Sequence, residues 1–264
     1  MKPQSFVHRL GRPGLLAMAL LLLASPAKSQ YWDFPPLPPP HAFGNLLMDR
    51  VASGAGAKPV VFSHWSHRLR YSCRVCHFEL DFAFAAGTTE VTEADNRNGL
   101  FCGACHNGKE VFGHQDPAQC GRCHSGDQGW GQEAFGERTA ALPRTRYGNR
   151  IDWVRAAKSG KIRPRYSLFN EGEAPMEFVK QLELKAEWLY VPPAFFPHDA
   201  HAAWLDCGNC HPDIFNIKKK GTQHFEMKYI LEGRFCGVCH IKVAFPLQDC
   251  KRCHPAIHMV EEKP

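Results

Sequence analysis

Phe62-Ser63-His64-Trp65-Ser66-His67 leads into Cys73-Arg74-Val75-Cys76-His77, and Phe196-Pro197-His198-Asp199-Ala200-His201 leads into Cys207-Gly208-Asn209-Cys210-His211. A His-x-x-His pair thus stands at one fixed distance before a Cys-x-x-Cys-His motif, twice, 134 residues apart. Working outward, the motif recurs at Cys102-Gly103-Ala104-Cys105-His106, Cys120-Gly121-Arg122-Cys123-His124, Cys236-Gly237-Val238-Cys239-His240 and Cys250-Lys251-Arg252-Cys253-His254. The shift of 134 carries His77 to His211 and His106 to His240. Between His124 and His254 it is 130, so the second copy is shorter in its last loop. Gly99-Leu100-Phe101-Cys102-Gly103 and Gly233-Arg234-Phe235-Cys236-Gly237 repeat around the middle motifs. Duplication of a three-motif unit accounts for this pattern.

The 12 cysteines of the chain all fall in these six motifs. Cys-x-x-Cys-His is the attachment signature of c-type haem: two thiols add to the haem vinyl groups, and the adjoining His lies under the iron. Zinc would need the pairs to converge and would not require His after each second Cys. Six disulfides would leave the six histidines unexplained. The expected cofactor complement is six haem c. The covalent attachments are Cys73, Cys76, Cys102, Cys105, Cys120, Cys123, Cys207, Cys210, Cys236, Cys239, Cys250 and Cys253, and the proximal ligands are His77, His106, His124, His211, His240 and His254.

Residues 1–29 read as a signal peptide. Lys2, Arg9 and Arg12 precede the apolar run Leu15–Ala24, which is too short to span a bilayer, and small residues at Ser25, Ala27 and Ser29 allow cleavage. An uncleaved anchor is the alternative. Export to the periplasm or cell surface of a bacterium agrees with covalent haem attachment, and no other segment is apolar enough to cross a membrane. The formal charge of +6 does not point to nucleic acid, since haem propionates offset it and no basic stripe with interleaved aromatics is present. With 20 Pro and 22 Gly, the expected fold is loop-rich, with short α-helices wrapped around covalently bound haems.

The expected organisation is a Pro-rich N-terminal arm over 30–59, a triheme module over 60–126, a linker without haem ligands over 127–190, a second triheme module over 191–258 and a tail over 259–264. The arm, with Pro35-Pro36-Leu37-Pro38-Pro39-Pro40, is read as an extended spacer or a docking element. The linker holds no Cys or His. Within it, Tyr147–Lys158 reads as a turn and a short amphipathic helix ended near Gly160, whose Ile151, Trp153 and Val154 pack on a module.

The two modules resemble the triheme class III cytochromes c of the cytochrome c-seven type, over about residues 60–126 and 191–256. The resemblance is carried by Phe-x-His-x-x-His followed by three Cys-x-x-Cys-His. It implies distal ligands: His64 pairing with His77, His67 with His106, His198 with His211, His201 with His240, and His224 with His254. Met227 is a competitor for this last position. The first module departs from the pattern, because Glu90 stands where His224 would align and Glu93 where Met227 would. His114 is then the nearest substitute for the haem of His124. His41 and His258 are more distant candidates, and an open iron is a third possibility. The implied function is electron transfer by hopping between closely packed, mostly bis-His haems, without catalysis. Its expected partners are other cytochromes or membrane oxidoreductases. A multihaem reductase with one open iron, and a structural subunit of a cytochrome conduit or filament, are the alternatives.

Overall fold

The computed structural model describes residues 34–186, 190–216 and 226–258. Residues 36–264 form one compact unit. Met1–Pro35 form a separate one, of which only Phe34 and Pro35 are described. The predicted signal peptide, the tail beyond residue 258 and His224 lie outside the described residues.

Among the described residues regular structure is sparse, as the Pro and Gly content predicts: two two-stranded antiparallel ladders and a set of helices of one or two turns. β1 (Asn45–Met48) pairs with β2 (Val60–Ser63), with Asn45 opposite Ser63 and Met48 opposite Val60. β3 (Gln181–Leu184) pairs with β4 (Ala194–Pro197), with Gln181 opposite Pro197 and Leu184 opposite Ala194. Val60-Val61-Phe62 and Phe195-Phe196 suit a pleated, half-buried surface. Each ladder runs straight into a histidine-bearing turn: β2 into α1 (His64–Arg68), and later β4 into its copy, His198–Ala202. The strand partner of each module comes from outside the boundaries expected at 60 and 191. Residues of the arm and of the linker are therefore integral to the ladders.

α2 (Glu93–Arg97) opens on a capping box in which Thr92 and Asp95 satisfy each other's backbone donors. Its Asn96 carbonyl roofs the second motif, where a Cβ at Gly103 would collide with it, and in the second copy the Ile230 carbonyl lies in the same way over Gly237 of the fifth motif. The glycine after the first Cys of the second and fifth motifs is thus a packing requirement.

The linker does more than connect. It forms α3 (Gln132–Thr139) and α4 (Trp153–Lys158). Asp152 caps α4 by accepting from the Arg155 amide, and Gly160, at φ +70°, follows its end. Six of the eight residues in the buried apolar cluster formed among the described residues come from this segment: Phe135, Leu142, Ile151, Trp153, Ala156 and Ile162. Trp65 and Trp204, one from each module, complete it. The linker is therefore the hydrophobic wedge between two modules that have few apolar side chains of their own to bury against each other. α5 (His198–Ala202) and α6 (Met227–Leu231) belong to the second copy.

Candidate functional site

In α1, His64 and His67 lie three residues apart and so project from neighbouring positions of one helical turn. Phe62 stacks on His67, with centroids 4.4 Å apart and planes 25° apart, and meets His64 edge-on at 4.8 Å. In α5 the arrangement repeats: Phe196 stacks on His201 at 4.2 Å and 25°, and meets His198 edge-on at 4.8 Å. The Phe-x-His-x-x-His signature is thus a geometric unit in which one phenyl ring sets both imidazoles.

The ring nitrogens share a single pattern. Nδ1 of His77, His106, His124, His211, His240 and His254 bonds the carbonyl of Phe82, Phe112, Lys58, Phe215, Phe245 and Pro192, at 2.6–3.0 Å. Nδ1 of His64, His67, His198 and His201 bonds Gly44, Ser63, Lys180 and Pro197 carbonyls at 2.7–2.9 Å. A carbonyl can only accept, so each Nδ1 carries the proton and each Nε2 keeps a lone pair for a metal. His114 has the same bond, to His106 O, at 3.3 Å. His41 and His258 make no ring hydrogen bond among the described residues. Met227 opens α6, half-buried.

His67 and His106 stand 6.2 Å apart between ring centroids, and His201 and His240 6.1 Å. Two imidazole–metal bonds of about 2 Å each, with the span from each ring centre to its nitrogen, require this separation. Burial pulls His64 down to about 4, against its hydrogen bond to Gly44, and the nearby His77 lowers it further. Burial likewise holds His67, His77, His106 and His201 below their ordinary value and brings His240 to about 4. These imidazoles are neutral at pH 7, the state in which they bind iron.

Of the twelve cysteines, Cys120 and Cys207 are exposed and the rest half-buried. Burial pushes Cys76, Cys236 and Cys239 up to about 12, and Cys102 and Cys253 to about 11. Mutual repulsion adds to each shift and shows which motifs are neighbours. Cys102 feels Cys123, and Cys76 feels Cys105 and Cys102. Cys239 feels Cys73 and Cys210, and Cys236 feels Cys253. The motifs therefore form a continuous series from third to second to first to fifth, with the fourth and sixth beside the fifth. Two thiols and one Nδ1-tied imidazole per motif are the donor set haem c requires.

Other residues of the site carry no spacing signal. Arg74, inside the first motif and only 7% exposed at its side chain, pairs with Glu79, with Glu173 at 2.6 Å and with Asp206 at 3.3 Å. Its amide donates to Trp204 O at 2.9 Å. Asn209, inside the fourth motif, donates to the His77 carbonyl at 3.0 Å. The first and fourth motifs are thus hydrogen-bonded directly to each other across the modules. Arg252, in the sixth motif, binds Asp249 at 2.7 Å, Thr145 at 2.9 Å and Asp152 at 3.5 Å.

A family described as cytochrome c7 and related cytochrome c matches residues 60–125 and 194–255. Among solved structures, a c7-type three-heme cytochrome domain is 38% identical over 31% of this chain and 91% of that one, at a TM-score of 0.27. The C-terminal hexaheme fragment of GSU1996 is 28% identical over 84% of this chain and 99% of that one, at 0.27. Its N-terminal hexaheme fragment is 23% identical over 81% and 99%, at 0.26. No curated protein matches. The superpositions are poor, so the assignment rests on the two matched segments and the six motifs within them. The cofactor is haem c, and this chain, in two consecutive copies, belongs to the family of cytochrome c7 and related cytochromes c.

Proposed function

We propose that the protein is an exported six-haem electron carrier, built of two triheme modules over 60–126 and 191–258, that takes electrons from one redox protein and passes them to another. The observation that carries this reading is the pair of facing imidazole sets, His67 with His106 at 6.2 Å and His201 with His240 at 6.1 Å. Haem, when bound, supplies a one-electron iron couple. The chain's own residues do the rest. The twelve cysteines anchor the cofactors. His77, His106, His124, His211, His240 and His254 hold one axial position, and His64, His67, His198, His201 and His224 the other. Among those within the described residues, which exclude His224, Nδ1–carbonyl bonds fix each ring before the cofactor arrives.

For the haem of His124 the distal ligand is His114. Its ring is tied to a carbonyl like the others, and it lies near enough to Glu93 to bias that carboxylate. Glu93 occupies the position that Met227 takes in the second copy. His114, on a different loop, thus lies beside the stretch of the first module that aligns in sequence with the His224–Met227 stretch of the second. With every iron doubly ligated, the chain has no position for substrate and acts as a carrier. No helix among the described residues is long and apolar enough to cross a membrane.

The test is electron paramagnetic resonance of the fully oxidised protein, with haem counted on the same sample. Six haems with low-spin signals only are expected. A stoichiometric high-spin signal would overturn the carrier reading in favour of a reductase with one open iron.

A further inference from the structure

Arg68 closes α1, four residues after His64 and one after His67. Its guanidinium lies over the Trp204 ring at 4.5 Å and the Trp153 ring at 5.0 Å, between an indole of the second module and one of the linker. Its Nε is fully shielded from solvent and has no hydrogen-bond partner. Arg68 makes no ion pair among the described residues, and Asp152 is the only carboxylate whose field it feels. Both indoles belong to the buried cluster against which Cys73 of the first motif packs, and the same guanidinium acts electrostatically on Cys73 and on Cys239 of the fifth motif.

Indole faces hold a cation without cancelling it, because a ring quadrupole carries no net charge. A carboxylate partner would neutralise it. An arginine cannot shed its proton. The result is a permanent positive charge that no protein carboxylate among the described residues pairs with, and with little water around it to screen it. The second copy has no counterpart, since the shift of 134 takes Arg68 to Ala202.

We infer that Arg68 raises the reduction potentials of the haems attached at Cys73–Cys76 and Cys236–Cys239 above those of their duplicated counterparts at Cys207–Cys210 and Cys102–Cys105. Oxidising an iron adds one positive charge beside a fixed cation, which Coulomb repulsion disfavours. One electron on each of these two haems is thereby favoured, and both lie at the junction of the modules. The charge breaks the equivalence that duplication would otherwise leave, and makes the middle of the chain of haems its preferred seat for electrons. This rests on the haem assignments proposed above.

The experiment is a potentiometric titration of holoprotein followed by visible absorbance and low-temperature resonance spectra, on the parent chain, Arg68→Gln and Arg68→Lys. Arg68→Gln is expected to lower two of the six midpoints, each by about tenfold in its equilibrium constant, or 59 mV for one electron. Arg68→Lys, which keeps the charge, is expected to recover most of that shift. Unchanged midpoints in Arg68→Gln, or an equal fall in Arg68→Lys, would overturn the inference. Asp152→Asn provides the opposite sign: Asn still caps α4, and removing its charge should raise the same two midpoints, together with that of the haem at Cys250–Cys253, whose Arg252 it also pairs. If Arg68→Gln does not retain six haems, a flat response in Asp152→Asn is the result that rejects the idea. The haem count and low-spin spectrum of the parent chain report failure of the ligation scheme separately.

Discussion

α1 and α5 are two copies of one helical turn. Their histidines are set alike, with stacking of 4.4 and 4.2 Å on the preceding phenylalanine and facing-ring separations of 6.2 and 6.1 Å. The residues between and after the histidines have diverged. Trp65 is 3% exposed and packs edge-on against Phe135 at 5.1 Å. Its counterpart Asp199 lies at the surface, 3.4 Å from Lys158. Arg68 is clasped by two indoles, and its counterpart is Ala202. Metal ligation constrains which way two rings point, and it constrains little else. Once duplicated, one copy could give its free positions to the joint between modules while the other kept a solvated face.

The sharpest way to break the comparison is to remove a ligand from each copy. His67→Ala and His201→Ala should each convert one of six low-spin haems to high spin, read by resonance spectra, and the two spectra should be alike. A silent His201→Ala would show that the likeness of the two turns is only structural. His114→Ala should produce the same one-in-six conversion at the haem of His124, which extends the comparison to the third position of the first module.

Next in size is Arg74, whose counterpart under the shift of 134 is Gly208. Arg74→Ala leaves Glu79 buried without its cation and should cost about 3–5 kcal/mol in denaturant unfolding. The same cluster predicts acid sensitivity. Burial acts to raise Glu79, and hydrogen bonds from Leu168, Ser167 and Arg74 overcome it and hold the carboxyl below its ordinary 4.5. A carboxylate with a lowered folded pKa contributes its stability above 4.5 and loses it as pH falls through the folded value. Unfolding midpoints should therefore drop below pH 4.5, and should drop less in Glu79→Gln.

Trp65→Ala should also cost about 3–5 kcal/mol, through the cavity it opens in the shared core. Asp199→Ala, at the equivalent position, should stay within about 0.5 kcal/mol. Lys158→Ala removes the other half of the same exposed ion pair and should likewise stay within about 0.5 kcal/mol, an effect that should vanish in salt.

The attachment motifs, the duplication and the His-x-x-His pairs are legible in the sequence because each rests on local spacing, and the short strand that feeds each pair follows from its aromatic and β-branched residues. The joint between modules is not legible. A segment without Cys or His reads as a linker, yet Phe135, Ile151 and Trp153 make it the core, since burial there depends on what two distant tryptophans bring to it. Arg74 and Asn209 occupy positions inside the motifs that the attachment chemistry leaves unspecified. Apart from Glu79, five residues from Arg74, their partners are nearly a hundred residues away or more, so no local pattern marks the joint they make.

The hydrogen bonds from Nδ1 to backbone carbonyls have a further consequence. A carbonyl that draws on the ring proton makes the imidazole a stronger electron donor through its other nitrogen, and a more basic axial ligand favours ferric over ferrous iron. Ten histidines share this bond at 2.6–3.0 Å, so the backbone applies one common downward bias to the whole set. The carbonyls set the floor of the potential scale, and the few side-chain charges placed at the joint decide which haems stand above it.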